Sequence, residues 1–259
     1  LSFLTMTISI ALASDLHIEL SRGAVPVPTL PKDADVIVLA GDITNAYAKT
    51  KNQFKQTFAA FRKHFKQPIL FIPGNHEYYK DSYGRVVRAY EEMSNDHVTI
   101  LNPGRVDIDG KTFIGATMWS DLQLKNHEVL SDQAVERAIA DFSVIHGFTA
   151  ADMRAIHRRE LEFVESELQK QSNDNTVVIT HFVPSQDCVH PRWAGLVLNP
   201  YFTNDHDFLM DTYKYPLHVF GHTHDRFDQD HDSGTRLIGN PRGYPNENST
   251  PYEWKIVEV

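Results

Sequence analysis

Seven side chains with oxygen or nitrogen donors, Asp15, His17, Asp42, Asn75, His181, His222 and His224, stand where short apolar runs stop. Ile8 to Ala13 ends in Ser14-Asp15-Leu16-His17, Val36 to Ala40 in Gly41-Asp42, and Ile69 to Ile72 in Pro73-Gly74-Asn75-His76. Val177 to Ile179 ends in Thr180-His181, and Leu217 to Phe220 in Gly221-His222-Thr223-His224. A mixed set of carboxylate, amide and imidazole donors suits Mn, Fe or Zn and does not choose among them. Seven donors are too many for one ion. Two ions roughly 3.5 to 4 Å apart would use them if one carboxylate is shared, and Asp42, alone on its strand end, is the candidate. Such a pair polarises phosphoryl oxygens and makes hydroxide available near neutral pH. His76 is a side chain that titrates in the range needed to protonate a leaving alkoxide. Taken singly, an Asp or Asn after a strand is usually a turn former or helix cap, and a lone His is usually packing. Recurrence at five strand ends is what that plainer reading does not explain.

The elements that must position these residues follow from periodicity. The five runs read as buried strands, and ligands of an open sheet sit outside the carboxyl ends of its strands. Helical spacing predicts helices over Thr50 to Phe65, with Phe54, Phe58, Phe61 and Phe65 inward, and over Ser82 to Met93, with Tyr83, Val86, Val87 and Tyr90 inward. A third, Thr149 to Lys170, opens on a Thr149/Asp152 capping box and places Met153, His157, Leu161, Val164 and Leu168 on one face. His157 reads as a core residue rather than a ligand. The order strand, loop, strand, helix, strand, helix favours a largely parallel sheet. Val98 to Leu101, Val106 to Ile108 and Thr112 to Ala116, with the hairpin signal Asp109-Gly110, predict a second, more antiparallel layer closed by Thr235 to Ile238 and Trp254 to Val257. Residues 120–148 are polar and weakly periodic, which suits a lid or binding insertion as well as a surface excursion.

The 259 residues read as a single domain without repeats or linkers. One cysteine, Cys188, excludes an internal disulfide and any multi-cysteine metal site, and reads as a passive small residue. A formal net charge of -9 argues against long nucleic acid as a partner, but not against a small phosphorylated substrate. The apolar start lacks a basic segment, so a first strand is a better reading than a signal peptide. No run suits a membrane span. Met6 is the expected natural start after Leu1 to Thr5, a cytoplasmic location is the default, and the glycosylation pattern Asn248-Ser249-Thr250 carries little weight.

Taken in order, Asp-x-His, Gly-Asp, Gly-Asn-His-Glu, Thr-His and Gly-His-Thr-His span residues 15 to 224 and resemble the motifs of the calcineurin-like metallophosphoesterase superfamily. Thr117-x-Trp119, Asp141-Phe142 and Asn240-Pro241-Arg242-Gly243-Tyr244 are similar to a bacterial subgroup of generic phosphoesterases. The resemblance implies an α/β fold: a four-layer αββα sandwich of two mixed β-sheets flanked by helices, with a dimetal site at the strand carboxyl ends. It implies that Asp15, His17, Asp42 and His224 hold one ion, that Asp42, Asn75, His181 and His222 hold the other, and that His76 is the catalytic histidine. Asn45 stands where many members carry an acidic residue, a departure outside the ligand set. Arg192, Arg242 and Tyr78 are candidate substrate contacts, with Tyr79 as a possible pocket residue and Asp225 as a residue that could orient a ligand histidine. The expected activity is hydrolysis of a small phosphomonoester or phosphodiester by a metal-bridging hydroxide. A nuclease or cyclic-nucleotide phosphodiesterase is the alternative enzyme. A non-catalytic binding scaffold is the third reading, against which the complete donor set and His76 speak.

Overall fold

A computed structural model of the chain describes residues 7–20, 34–45, 51–95, 97–170, 172–245, 247 and 251–259, with only the helical backbone for 51–53. The expectations for Leu1 to Thr5 and for Asn248-Ser249-Thr250 fall outside these residues. The strands, in chain order, are β1 (Ser9–Ala13), β2 (Val36–Ala40), β3 (Ile69–Ile72), β4 (Val98–Ile100), β5 (Gly104–Ile108) and β6 (Lys111–Ala116). They continue with β7 (Thr176–Thr180), β8 (Leu217–Phe220), β9 (Phe227–Asp230), β10 (Arg236–Gly239) and β11 (Lys255–Glu258). The helices are α1 (Lys51–His64), α2 (Tyr83–Glu91), α3 (Asp132–Ala138), α4 (Asp141–Val144), α5 (Ala150–Leu168), α6 (Asn199–Phe202) and α7 (Asp207–Tyr213).

Two sheets form, ordered β11-β1-β2-β3-β4 and β5-β6-β7-β8-β10-β9. Alternation along each central strand builds the layers. In β2, Ile37 and Leu39 face Phe54, Phe58 and Phe61 of α1 and Val86 and Tyr90 of α2. The intervening Val36 and Val38 face Phe113, Val177 and Val219 of the other sheet. On the far side, Ile114, Val178 and Leu237 meet Val164 and Leu168 of α5 and Leu209 and Met210 of α7. Helices, sheet, sheet and helices therefore stack as the expected αββα sandwich. Phe58 is 1% exposed at the centre of the first helix layer, so truncating it to alanine would cost about 3–5 kcal/mol. The Thr149/Asp152 capping box is formed at the head of α5, and the His157 ring lies 2.6 Å from the Trp119 carbonyl as a partnered core residue.

Three sequence expectations need correcting. β4 extends the first sheet beside β3, and β11 pairs antiparallel with β1, so neither belongs to the second layer. The second sheet is antiparallel only at its edge pairs, β5 with β6 and β10 with β9, while β6, β7, β8 and β10 run parallel. That parallel centre is what aligns the ends of β7 and β8 with those of β1, β2 and β3.

Candidate metal centre

The chain leaves β1 into Asp15 and His17, β2 into Asp42, β3 into Asn75 and His76, β7 into His181, and β8 into His222 and His224. All seven candidate ligands are buried. Among the seven, two groups of three bring their donor atoms within 4.8 Å of one another, Asp15, His17 and His224, and Asp42, His181 and His222, while His17 makes a further such group with Glu19 and His76. Asn75 joins the second, its Oδ1 lying 3.2 Å from His181 Nε2. The Asp42 carboxylate stands between the groups, with Oδ1 3.5 Å from His181 Nε2 and Oδ2 3.9 Å from His17 Nε2.

Backbone geometry makes this convergence possible. Asp15, His17, Asp42, His222 and His224 all lie in the left-handed region, with φ of 51°, 44°, 54°, 76° and 56°. Such conformations cost roughly 1–3 kcal/mol each and persist only where the surroundings hold them. Here the surroundings do so by bonds within the first sheet, such as Asp15 N to the Gly41 carbonyl and His17 N to the Asp42 carbonyl, and by bonds between the sheets. His222 N donates to Asp15 Oδ1 at 3.0 Å, and His181 Nδ1 donates to the Ala40 carbonyl at 2.9 Å. Glu77, fully buried, accepts from the backbone N–H of Asp42, Ile43, Thr44 and Gly74 at 2.6–3.0 Å, tying the ends of β2 and β3 together. Burial and the charge of Asp42 push Glu77 up to about 8, against the pull of the Thr44 and Gly74 N–H groups. Gly41 and Gly74 allow the close approach: a Cβ on Gly41 would come within 2.1 Å of the His181 ring, and one on Gly74 within 2.3 Å of Asp42 Oδ1.

The donor set fits metal ions. His17 and His224 point their Nε2 atoms at each other 3.0 Å apart, an arrangement in which two imidazoles share one proton or one cation. His222 Nε2 is buried without a hydrogen-bond partner. Burial opposes the charge of Asp42, yet His181, His76 and His17 outweigh it and hold the carboxyl well below its usual range. The reciprocal effect lifts His181 to about 9, where Asp42 and Asp15 overcome the cost of burial. His224 likewise rises to about 9, burial being outweighed by Asp15 and Glu247. A cavity of about 290 Å³ opens in front of the donors.

The family model of calcineurin-like phosphoesterases matches residues 8–226. The chain belongs to that family.

This phosphoesterase is 25% identical over 254 residues to an uncharacterized protein of Acanthamoeba polyphaga mimivirus, covering 88% of this chain and 86% of that one. In fold it is similar to the phosphopantetheinyl hydrolase of Mycobacterium tuberculosis, with a TM-score of 0.69 at 16% identity over 96% and 95% of the two chains. It is also similar to a dimetal phosphatase of Danio rerio, with a TM-score of 0.50 at 14% identity over 90% and 86%. The family implies divalent metal ions, for which the two donor groups are the candidates.

In the phosphoesterase, His76 sits beside the donors. Its Nδ1 is 3.3 Å from Glu19 Oε1, its Nε2 is 3.2 Å from the Tyr244 hydroxyl, and its ring stacks on Tyr79 at 4.2 Å. Burial works against the imidazolium, but Asp42, Glu19 and Asp141 outweigh it and lift His76 to about 9.

The remaining candidates are arranged differently from the sequence expectation. Tyr78 is fully buried and hydrogen-bonded to Asn102 in the helix layer; the 3₁₀ turn His76–Tyr78 rotates Tyr79 to the cavity instead. Arg242 Nη1 donates to the Leu16 carbonyl at 2.7 Å, and Arg192 pairs with Asp225 at 2.7 Å; neither lines the cavity. Asp225 holds Arg192 and Trp193 rather than a ligand histidine. That orienting role falls to Glu247, 2.7 Å from His224 Nδ1, and to Glu19, 3.2 Å from His17 Nδ1. Asp141, buried under the cavity floor, accepts from Asn75 Nδ2 at 3.0 Å, from Tyr79 at 2.7 Å and from Tyr201. Segment 120–148 thus contributes a wall, with Ala138 to Asp141 lining the cavity. Cys188 is buried, and burial pushes its thiol well up, as suits a passive residue. Glu19 lay two residues past His17, a spacing that could have flagged it, whereas Glu247 had no local signal. Among the described residues no helix is long and apolar enough to cross a membrane.

Proposed function

We propose that this metal-dependent phosphoesterase hydrolyses a small phosphomonoester or phosphodiester at a two-ion centre formed by the seven donors. The observation that carries the reading is the placement of Asp42, one oxygen toward each donor group. In this assignment Asp15, His17, Asp42 and His224 hold one ion, and Asp42, Asn75, His181 and His222 hold the other. Bound cations would supply Lewis-acid chemistry, activating water as a nucleophile and neutralising phosphoryl charge.

The chain's own groups do the rest. Asp42 sets the spacing of the two donor groups, and Asn75 is kept oxygen-inward because Asp141 takes its amide hydrogens. Glu19 accepts from His76 Nδ1 and thereby leaves the Nε2 proton for the substrate. As the water oxygen joins phosphorus and the bond from phosphorus to the ester oxygen breaks, His76 Nε2 protonates the departing alkoxide. Products are an alcohol and either inorganic phosphate or, from a diester, a monoester. Tyr244, whose hydroxyl meets His76 Nε2, lies where the leaving oxygen would arrive.

The test is elemental analysis combined with assays on nitrophenyl phosphate, its bis ester and single-stranded DNA with Mn, Fe or Zn supplied. Two ions per chain and turnover of at least one small ester are expected. A stoichiometry of one or less, or activity confined to DNA, would defeat the assignment.

A further inference from the structure

One side of the cavity has no part in phosphoryl chemistry. It is lined by Ala138, Ile139, Val189, Trp193, Leu196 and Phe202, the last packed 5.4 Å from the His222 ring. Trp193 and Leu196 keep 39% and 36% of their surface in solvent and therefore sit at the mouth. Trp193 is nonetheless fixed. Its Nε1 donates to Asp225 at 2.9 Å, the Arg192 guanidinium lies 4.6 Å over its ring, and its carbonyl accepts from Asn199 Nδ2 at 2.9 Å. Apolar side chains held in place yet open to solvent beside a reaction centre indicate a surface that a ligand covers.

Charge points the same way. Among the described residues lining the cavity there is no lysine or arginine, whereas Asp141 and Glu247 line it next to the donors. The guanidinium of Arg192, which lies over the Trp193 ring, is already engaged with Asp225. Away from the imidazoles of His76 and His224, a second anionic group on the substrate would lose its water beside carboxylates with no lysine or arginine of the described lining to meet it.

We infer that the organic group esterified to the phosphate is neutral and largely apolar, an alkyl or aromatic chain selected by Trp193 and Leu196. The inference rests on the phosphoesterase reading above and names the substrate class of that site. Each methylene fully covered by such a wall favours binding by about fourfold, so a six-carbon chain partly covered is worth tenfold or more.

The test compares the metal-loaded enzyme on phosphate monoesters, and on methyl phosphodiesters, of hexanol, 2-naphthylmethanol, glycerol and glycolic acid. Hexyl and naphthylmethyl esters should show kcat/KM at least tenfold above glyceryl esters in whichever series is turned over, with the carboxylate-bearing glycolyl ester lowest. In the Trp193→Ala/Leu196→Ala double variant the hexyl-to-glyceryl ratio should fall below threefold. Equal values across the alcohols, or a ratio that the double variant preserves, would overturn the inference. Calorimetric binding of naphthylmethylphosphonate and phosphonoacetate separates it from turnover. Tenfold tighter binding of the former without hydrolysis of any ester would sustain the apolar wall and remove the phosphoesterase reading, whereas equal binding would overturn the inference even in an active enzyme.

Discussion

On the donor side of the cavity, five of the seven candidate ligands adopt left-handed backbone, and bonds within the first sheet and from His222 to Asp15 across the sheets hold them there. On the opposite side, Ile139 and Val189 have ordinary φ values of -104° and -76° and come from the ends of short helical turns. The first surface is strained and braced several times over, by Glu77, by backbone carbonyls and by carboxylates behind the imidazoles. The second is relaxed and hangs on a few contacts such as the Asp225 bond to Trp193. The difference teaches where each kind of change is tolerated. A substitution among the donors disturbs geometry that neighbouring strands maintain jointly, whereas one on the relaxed side alters what fits and leaves the chemistry in place.

Four substitutions measure that contrast. Asp42→Ala should remove both ions together and lower turnover by roughly four orders of magnitude or more, since the water activation depends on them; a variant that keeps two ions by elemental analysis would contradict the shared role. His76→Ala should keep both ions and lower kcat by roughly two to four orders of magnitude, and an unchanged rate would take His76 out of the reaction. Glu247→Gln weakens the hold on His224 alone. It should reduce the affinity for one ion by about 10- to 100-fold while leaving the other, and equal loss of both would mean the two donor groups are not separable. Arg192→Ala, on the relaxed side and outside the cavity, should change kcat/KM for nitrophenyl phosphate by about threefold or less, as expected of an exposed ion pair; a loss of a hundredfold would restore it as a phosphate clamp.

The donor side was legible in the sequence because all seven candidate ligands follow one of five apolar runs, so residue and strand end are written next to each other. Strand membership was less so. Nothing local to Val98–Ile100 or Lys255–Glu258 says which sheet it joins, because pairing partners are chosen by the whole fold. Phe227–Asp230 was missed as a strand because its residues are polar and mostly exposed at a sheet edge. Residues behind the ligands were hardest to find. Asp141 meets Asn75 across 66 positions, and Glu247 meets His224 across 23. Of the two pocket candidates Tyr78 and Tyr79, a single turn of 3₁₀ helix leaves only Tyr79 at the cavity, a rotation that composition cannot register. Arg192 and Arg242 have the charge and the loop positions of phosphate clamps, and both spend that charge on neighbours within the protein.

The pairing of β11 with β1 joins the two ends of the described chain, Ile10 lying opposite Val257. During synthesis the strand that delivers Asp15 has one bare edge until β11 emerges. At about 5–20 residues per second that interval lasts tens of seconds, in which another nascent chain could pair with the open edge. Clipping β11 would therefore yield an aggregation-prone sheet rather than a slightly shorter enzyme.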